Sequence, residues 1–178
     1  MLASDRISRL STVLFLTSSA LIGLFPVVFI YGLYLGWTDP AWLSGMFAGV
    51  PVDQGYTPLK SMLVVLAGAL ALPPMLMAFW HMRSLFDRYR AAEILTDACA
   101  RHILRVGQAL VAVAIVGVLV PTLQILILTA GNAEGTRQLS IGIDGSTVGF
   151  LLAGGLLVVI GWVMREAAVI AEDAKGFV

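Results

Sequence analysis

The chain has 178 residues, of which 59% are hydrophobic and 12% charged, with Lys+Arg and Asp+Glu balanced at 11 each. Soluble domains run about 45–50% apolar and about 25% charged, so this composition excludes an ordinary soluble domain. Zero formal net charge excludes a strongly basic nucleic-acid binder, and the single cysteine, Cys99, excludes an intramolecular disulfide and a cysteine-based metal cluster.

Four runs, 10–35, 62–80, 106–130 and 147–164, contain no Asp, Glu, Lys or Arg. A helix of about 20 residues crosses a hydrocarbon core of about 30 Å, so the runs predict membrane spans at about 10–35, 60–82, 106–130 and 146–165. Four spans use most of the length, which leaves one domain, 1–178. The basic residues fall on one side: Arg6 and Arg9 before the first run, Arg83, Arg88, Arg90, Arg101 and Arg105 between the second and third, Arg165 and Lys175 after the fourth. Only Lys60 and Arg137 lie in the other two connections. The positive-inside rule then places both termini and the middle connection in the cytoplasm. The predicted fold is all-α: an integral membrane four-helix bundle, N-in and C-in, in a bacterial inner membrane.

The first helix is expected to start near Ser4 or Asp5, either of which can cap it, and it carries Pro26. Its apolar run is longer than the roughly 7–15 residues of a signal-peptide core, which predicts a retained span. The first outer connection, 36–58, holds Trp37, Trp42, Phe47 and Tyr56, residues that favour the membrane interface, and a short interfacial helix is expected near 40–48. Thr57-Pro58 reads as the cap and first residue of helix two. Pro73-Pro74 and Pro121 predict kinks in helices two and three.

Beyond Trp80, Met82, Leu85, Phe86 and Tyr89 recur at helical spacing, extending helix two to about Ala92; Thr96-Asp97 then reads as the cap and acidic first turn of helix three. Each of these helices is then about 50 Å long at 1.5 Å per residue, so the two should project as a cytoplasmic hairpin. Spacing pairs Arg83 with Asp87, Asp87 with Arg90, and Asp97 with Arg101. The remaining basic side chains are candidates for anionic lipid headgroups, for a cytoplasmic partner, or for Glu166, Glu172 and Asp173 on helix four.

In the second outer connection, 131–145, Leu139, Ile141 and Ile143 alternate with Ser140 and Gly142, which hints at a short extended piece. Gly145 or Ser146 starts helix four, and Gly145, Gly149 and Ala153, with Gly154 and Gly155 following, form a small-residue stripe that suits close helix packing, within the bundle or across a dimer. Helix four is expected to reach about Asp173. Gln124, the main amide within a span, is expected to bond between helices.

No ionisable residue lies at membrane depth, where such residues mark catalysis and coupled transport. His81 and His102 face each other across the hairpin base without acidic or sulfur ligands at metal spacing, and HExxH, CxxC, Gly-rich phosphate loops and Ser-His-Asp sets are absent. No catalytic residue, metal or cofactor is expected, and the chain reads as non-enzymatic.

Leu85-Phe86, Tyr89-Arg90, Glu93-Ile94-Leu95-Thr96, Ala100-Arg101-His102-Ile103, Arg105 and Gly107, with Met164-Arg165-Glu166, Ile170-Ala171-Glu172-Asp173 and Gly176-Phe177-Val178, are similar to the signature of a bacterial family of four-span membrane proteins, the YoaS-like family, a domain of unknown function. Ala92 and Leu95 stand where that signature has Gly and Phe, and Asp173-Ala174-Lys175 departs from its acidic-amide run. Family members are often encoded beside a helix-turn-helix regulator of the Cro/C1 kind, so the resemblance implies membrane signalling or regulation and carries over no catalytic residue.

Three functions fit. The first is an interaction or regulatory membrane protein, with a protein partner or a second copy of the chain beside its bilayer. Its candidate surface is Arg83, Arg88, Arg90, Glu93, Arg101, Arg105, Arg165, Glu166, Glu172 and Asp173. The second is an accessory subunit of a larger membrane complex, contacting it through the outer loop and the helix-four stripe. The third is a small transporter or lipid-binding protein with a cavity at the level of Pro26, Pro73 and Pro121.

Overall fold

The computed structural model describes residues 2–175 other than 54, 92, 94, 95, 134 and 135, with side chains described from residue 9 to residue 170. It contains five α-helices: α1 (Leu2–Thr38), α2 (Pro58–Gly68), α3 (Leu72–Arg90), α4 (Asp97–Thr129) and α5 (Gly145–Lys175). Four helical stretches are long and apolar enough to cross a membrane; the second is formed by α2 and α3 together.

Each boundary has a local cause. α1 begins at Leu2, ahead of Ser4 and Asp5, so those two residues sit in its first turn rather than capping it. The Thr57 side chain accepts the Lys60 backbone N–H, and Pro58 fills the first helical position, where a missing N–H costs nothing. Between α2 and α3 the chain tightens into a 3-10 turn, Ala69–Ala71. Pro73 and Pro74 donate no N–H, so they cannot continue α2, yet they suit the first turn of α3. Pro26 and Pro121, by contrast, lie inside unbroken helices. α3 ends at Arg90, slightly short of the expected Ala92, which lies outside the described residues. Thr96 caps α4 by accepting the Cys99 N–H. α5 is capped by a residue the sequence reading passed over: Asp144 Oδ1 accepts both the backbone N–H and the hydroxyl of Thr147 at 2.7 Å, and the Ser146 hydroxyl also donates to this carboxylate. These bonds hold the Asp144 carboxyl down at about 2.

The helices pack as an open arc. α1 lies on α2 and α3, these lie on α4, and α4 lies on α5; α1 and α5, at the two ends, share no substantial interface. The α4–α5 seam is the most extensive and rests on glycine. A Cβ on Gly107 would stand 2.7 Å from the Gly154 carbonyl oxygen, one on Gly154 2.8 Å from the Gly107 carbonyl oxygen, and one on Gly161 2.8 Å from Leu104 Cα. The two backbones therefore touch. Of the small-residue stripe, Gly154 packs against α4, whereas a Cβ on Gly145 or Gly149 meets nothing within 4 Å and Ala153 is exposed. These three face away from the chain's other helices because α5 turns its Gly154–Gly161 face to α4.

At one end of the helices Leu43, Val64 and Leu128 form a buried cluster flanked by Trp42, Phe47 and Tyr56. The 40–48 segment is a 3-10 helix, Pro40–Gly45, shorter than expected. Buried Asn132 ties the two loops of this end together, donating from Nδ2 to the Pro51 carbonyl at 2.7 Å and accepting the Asp53 N–H at 3.2 Å. Residues 139–144 carry no strand and are exposed; with no partner segment, their alternation builds no ladder.

Candidate functional site

The opposite end carries the charges. Cys99 is fully buried between α3, α4 and α5, in a cluster with Leu85 and Ile103 that Tyr89, Leu157 and Met164 pack against. Its thiol donates to the Glu93 carbonyl at 3.0 Å, so the turn after α3 is fastened to the first turn of α4. Around this plug lies a ring of ion pairs: Arg88 with Glu93 at 3.0 Å, Arg90 with Asp87 at 3.7 Å, and Asp97 with both Arg101 and Arg165, the last at 3.4 Å. Asp97 thus joins the start of α4 to α5. Exposed pairs are worth roughly 0.2–1 kcal/mol each, so they set the arrangement of this surface more than its stability.

Of the candidate residues, Arg88, Arg90, Glu93, Arg101 and Arg165 make these ion pairs, with Asp87 and Asp97 as partners from outside the candidate set. Arg105 points elsewhere and donates to Gln108 at 3.3 Å. Glu166 is exposed, with no ion pair among the described residues, so the expected contact from α5 comes through Arg165 to Asp97 rather than through Glu166. The side chains of Glu172 and Asp173 lie outside the described residues, as do Ile94, Leu95 and 176–178 of the signature segments.

Arg83 departs from its expected pairing with Asp87. Its Nε donates to Ser19 Oγ on α1 at 2.9 Å, and its guanidinium lies 4.8 Å from the Phe15 ring centre and 5.7 Å from that of Trp80. Arg90 approaches the same Phe15 ring at 5.1 Å. Local spacing points to Asp87; the partners that win are 64 residues away on α1. Beside Arg83 is a polar cleft of about 240 Å³, lined by Phe15, Arg83, Ser84, Asp87, Arg88 and His102. His102 also meets His81, with 3.1 Å between their Nδ1 atoms, so one ring donates to the other. Among the described residues no group of three His, Cys, Asp or Glu side chains is placed to hold a metal ion.

A second cavity, of about 350 Å³ and mostly apolar, opens between α1, the Pro40–Gly45 turn, α2 and α4. Phe25, Phe29, Trp42 and Met75 form walls, and Gln124 lies at the level of the 3-10 turn. Gln124 Nε2 donates to the Val64 carbonyl at 3.1 Å, bonding α4 to α2.

The family model described as protein of unknown function (DUF2975) matches residues 16–175, nearly the whole chain and all four apolar stretches. No curated protein matches the chain. No solved structure matches it either.

Proposed function

The chain belongs to the family described as protein of unknown function (DUF2975), and on that premise we propose that it is a non-enzymatic membrane interaction protein whose charged end is the docking surface for a protein partner. In this reading the membrane is the bacterial inner membrane, both termini and the α3–α4 turn are cytoplasmic, and the partner is a cytoplasmic regulator. The observation that carries it is Asp97, which holds Arg101 of α4 and Arg165 of α5 together over the buried Cys99 plug. Two cytoplasmic segments far apart in sequence are thereby combined in one exposed surface of alternating charge, the kind that selects partners and steers their encounter.

The test is photocrosslinking in native host membranes, with a photoreactive residue in place of Glu93, Arg101 or Glu166, and in place of Leu139 at the other end. One common crosslinked product at the first three positions, absent at Leu139 and lost with Arg88→Glu plus Arg101→Glu, supports the reading. A product at Leu139 alone overturns it.

A lipid-binding or apolar-ligand-binding role is the second reading, and the 350 Å³ cavity is the observation that favours it. Small-molecule sites have this character, apolar walls with a few polar groups. Val28→Trp would fill the cavity and should displace any co-purifying apolar molecule, while leaving the partner crosslink intact.

A further inference from the structure

We propose that the polar cleft between α1, α3 and α4 binds a phosphate group, with Arg83 and Arg88 as its cationic arms. Arg83 is the unusual member. Among the described residues no carboxylate lies within ion-pair distance of it, and its only hydrogen bond leaves from Nε to a neutral hydroxyl. Among the described residues neither Nη group has a hydrogen-bond partner. They are nonetheless held in place, because the Ser19 bond and the faces of Phe15 and Trp80 fix the guanidinium plane. A guanidinium presents parallel N–H donors that match the oxygens of a phosphate.

The other walls suit the same ligand. Arg88 uses only Nη1 on Glu93. His102 adds a ring nitrogen from α4, while the Ser84 hydroxyl in the same wall already donates to the Trp80 carbonyl at 3.0 Å. Asp87 is the single carboxylate in the wall, and it leans toward Arg90 at 3.7 Å. Arg83, Arg88 and Arg90 against Asp87 and Glu93 leave the cleft positive, with Arg90 5.1 Å from the Phe15 ring centre.

Size and position narrow the ligand. Sites for whole small molecules run about 300–1,000 Å³, and this cleft is smaller, so it takes a group whose remainder stays outside. It lies just past Trp80, at the end of the apolar run, with the exposed apolar residues Val13 and Leu16 of α1 near Phe15 in sequence. That is headgroup depth, where a phosphodiester is already present and its acyl chains have an apolar surface to follow. The phosphate can come from a phospholipid headgroup or from a free phosphate compound, and the experiment separates the two.

The full chain, purified in uncharged detergent, is offered phosphatidylglycerol, phosphatidylcholine or inorganic phosphate, and retention is read by native mass spectrometry. Phosphatidylglycerol should be held about tenfold more tightly than phosphatidylcholine, whose choline cation opposes the arginines. Arg83→Gln plus Arg88→Gln should lower that retention by about tenfold or more, while Arg137→Gln at the other end leaves it unchanged. Retention of the lipid that inorganic phosphate does not displace identifies a headgroup site; protection by inorganic phosphate alone identifies a soluble phosphate site. Equal retention of both lipids, unaltered by the arginine substitutions, overturns the proposal. If the double variant does not fold, Arg88→Gln alone and a salt titration of the unaltered chain decide, and retention indifferent to both overturns it equally.

Discussion

The two ends of the arc, α5 and α1, are joined to the rest of the molecule by opposite means. Toward α5, glycines bring backbone against backbone. Toward α1, the contacts are made by Phe15, Phe25, Phe79, Trp80 and Arg83, and both cavities open there. Helices in lipid gain little from the hydrophobic effect and associate by close packing and interhelical hydrogen bonds. The glycine seam uses packing to its limit, whereas the α1 side gives up packing density and keeps room for guests. Rigidity and binding capacity are thus divided between the two seams.

The strongest way to break this comparison is to add bulk on each side. Gly154→Val should destabilise the folded state by about 1–3 kcal/mol or more, since even its Cβ would stand 2.8 Å from a carbonyl oxygen. Gly149→Val, in open space on the same helix, should stay within about 0.5 kcal/mol. Gly32→Ala on the α1 side should be similarly neutral, because its Cβ would meet Val65 Cγ1 at an ordinary 3.6 Å. Unfolding in detergent measures all three, and equal losses would erase the distinction.

A smaller effect is expected at Gln124, whose bond to the Val64 carbonyl crosses the α2–α4 contact. Gln124→Leu should cost about 0.6 kcal/mol and at most about 1.7 kcal/mol, the range for hydrogen bonds between membrane helices. A larger loss would mean that the cavity side depends on polar bonds more than on its aromatic contacts.

The smallest effect is local and depends on pH. The Asp144 carboxyl is lowered from an ordinary 3.8 to about 2 by its bonds to Thr147 and Ser146. Its stabilising contribution is therefore complete above pH 3.8 and disappears as the pH falls through about 2. Hydrogen exchange at the first turn of α5 should be faster in Asp144→Ala than in the unaltered chain at neutral pH, with the difference closing below about pH 2. A difference that persists in acid would assign the protection to the helix packing instead of the cap.

What could be read from the sequence was what local spacing controls. The four apolar stretches, the Thr57 and Thr96 caps and the Pro58 start all depend on residues a few positions apart. Long-range partners decided the rest. α5 carries two small-residue faces, 145-149-153 and 154-161, and spacing alone does not say which one meets α4. Arg83 has a carboxylate four residues ahead, yet Ser19 and Phe15 on α1 take it. Asn132 bridges to Pro51 across 81 positions, a contact no local pattern announces. Charge spacing did place Arg101 with Asp97 and Arg90 with Asp87, but gave no sign that Arg165 joins the first pair.

The glycine groove on α4 has a consequence for how the chain is made. Gly107 and Leu104 are synthesised well before Gly154 and Gly161, so until α5 is inserted that groove faces lipid with nothing to fill it. The chain is then an arc of three spans whose best packing surface is vacant. α5 closes it with its Gly154–Gly161 face, where a Cβ on either glycine would stand 2.8 Å from α4. Assembly therefore ends with its closest-packed seam, and a chain interrupted before α5 leaves Gly107 and Leu104 uncovered.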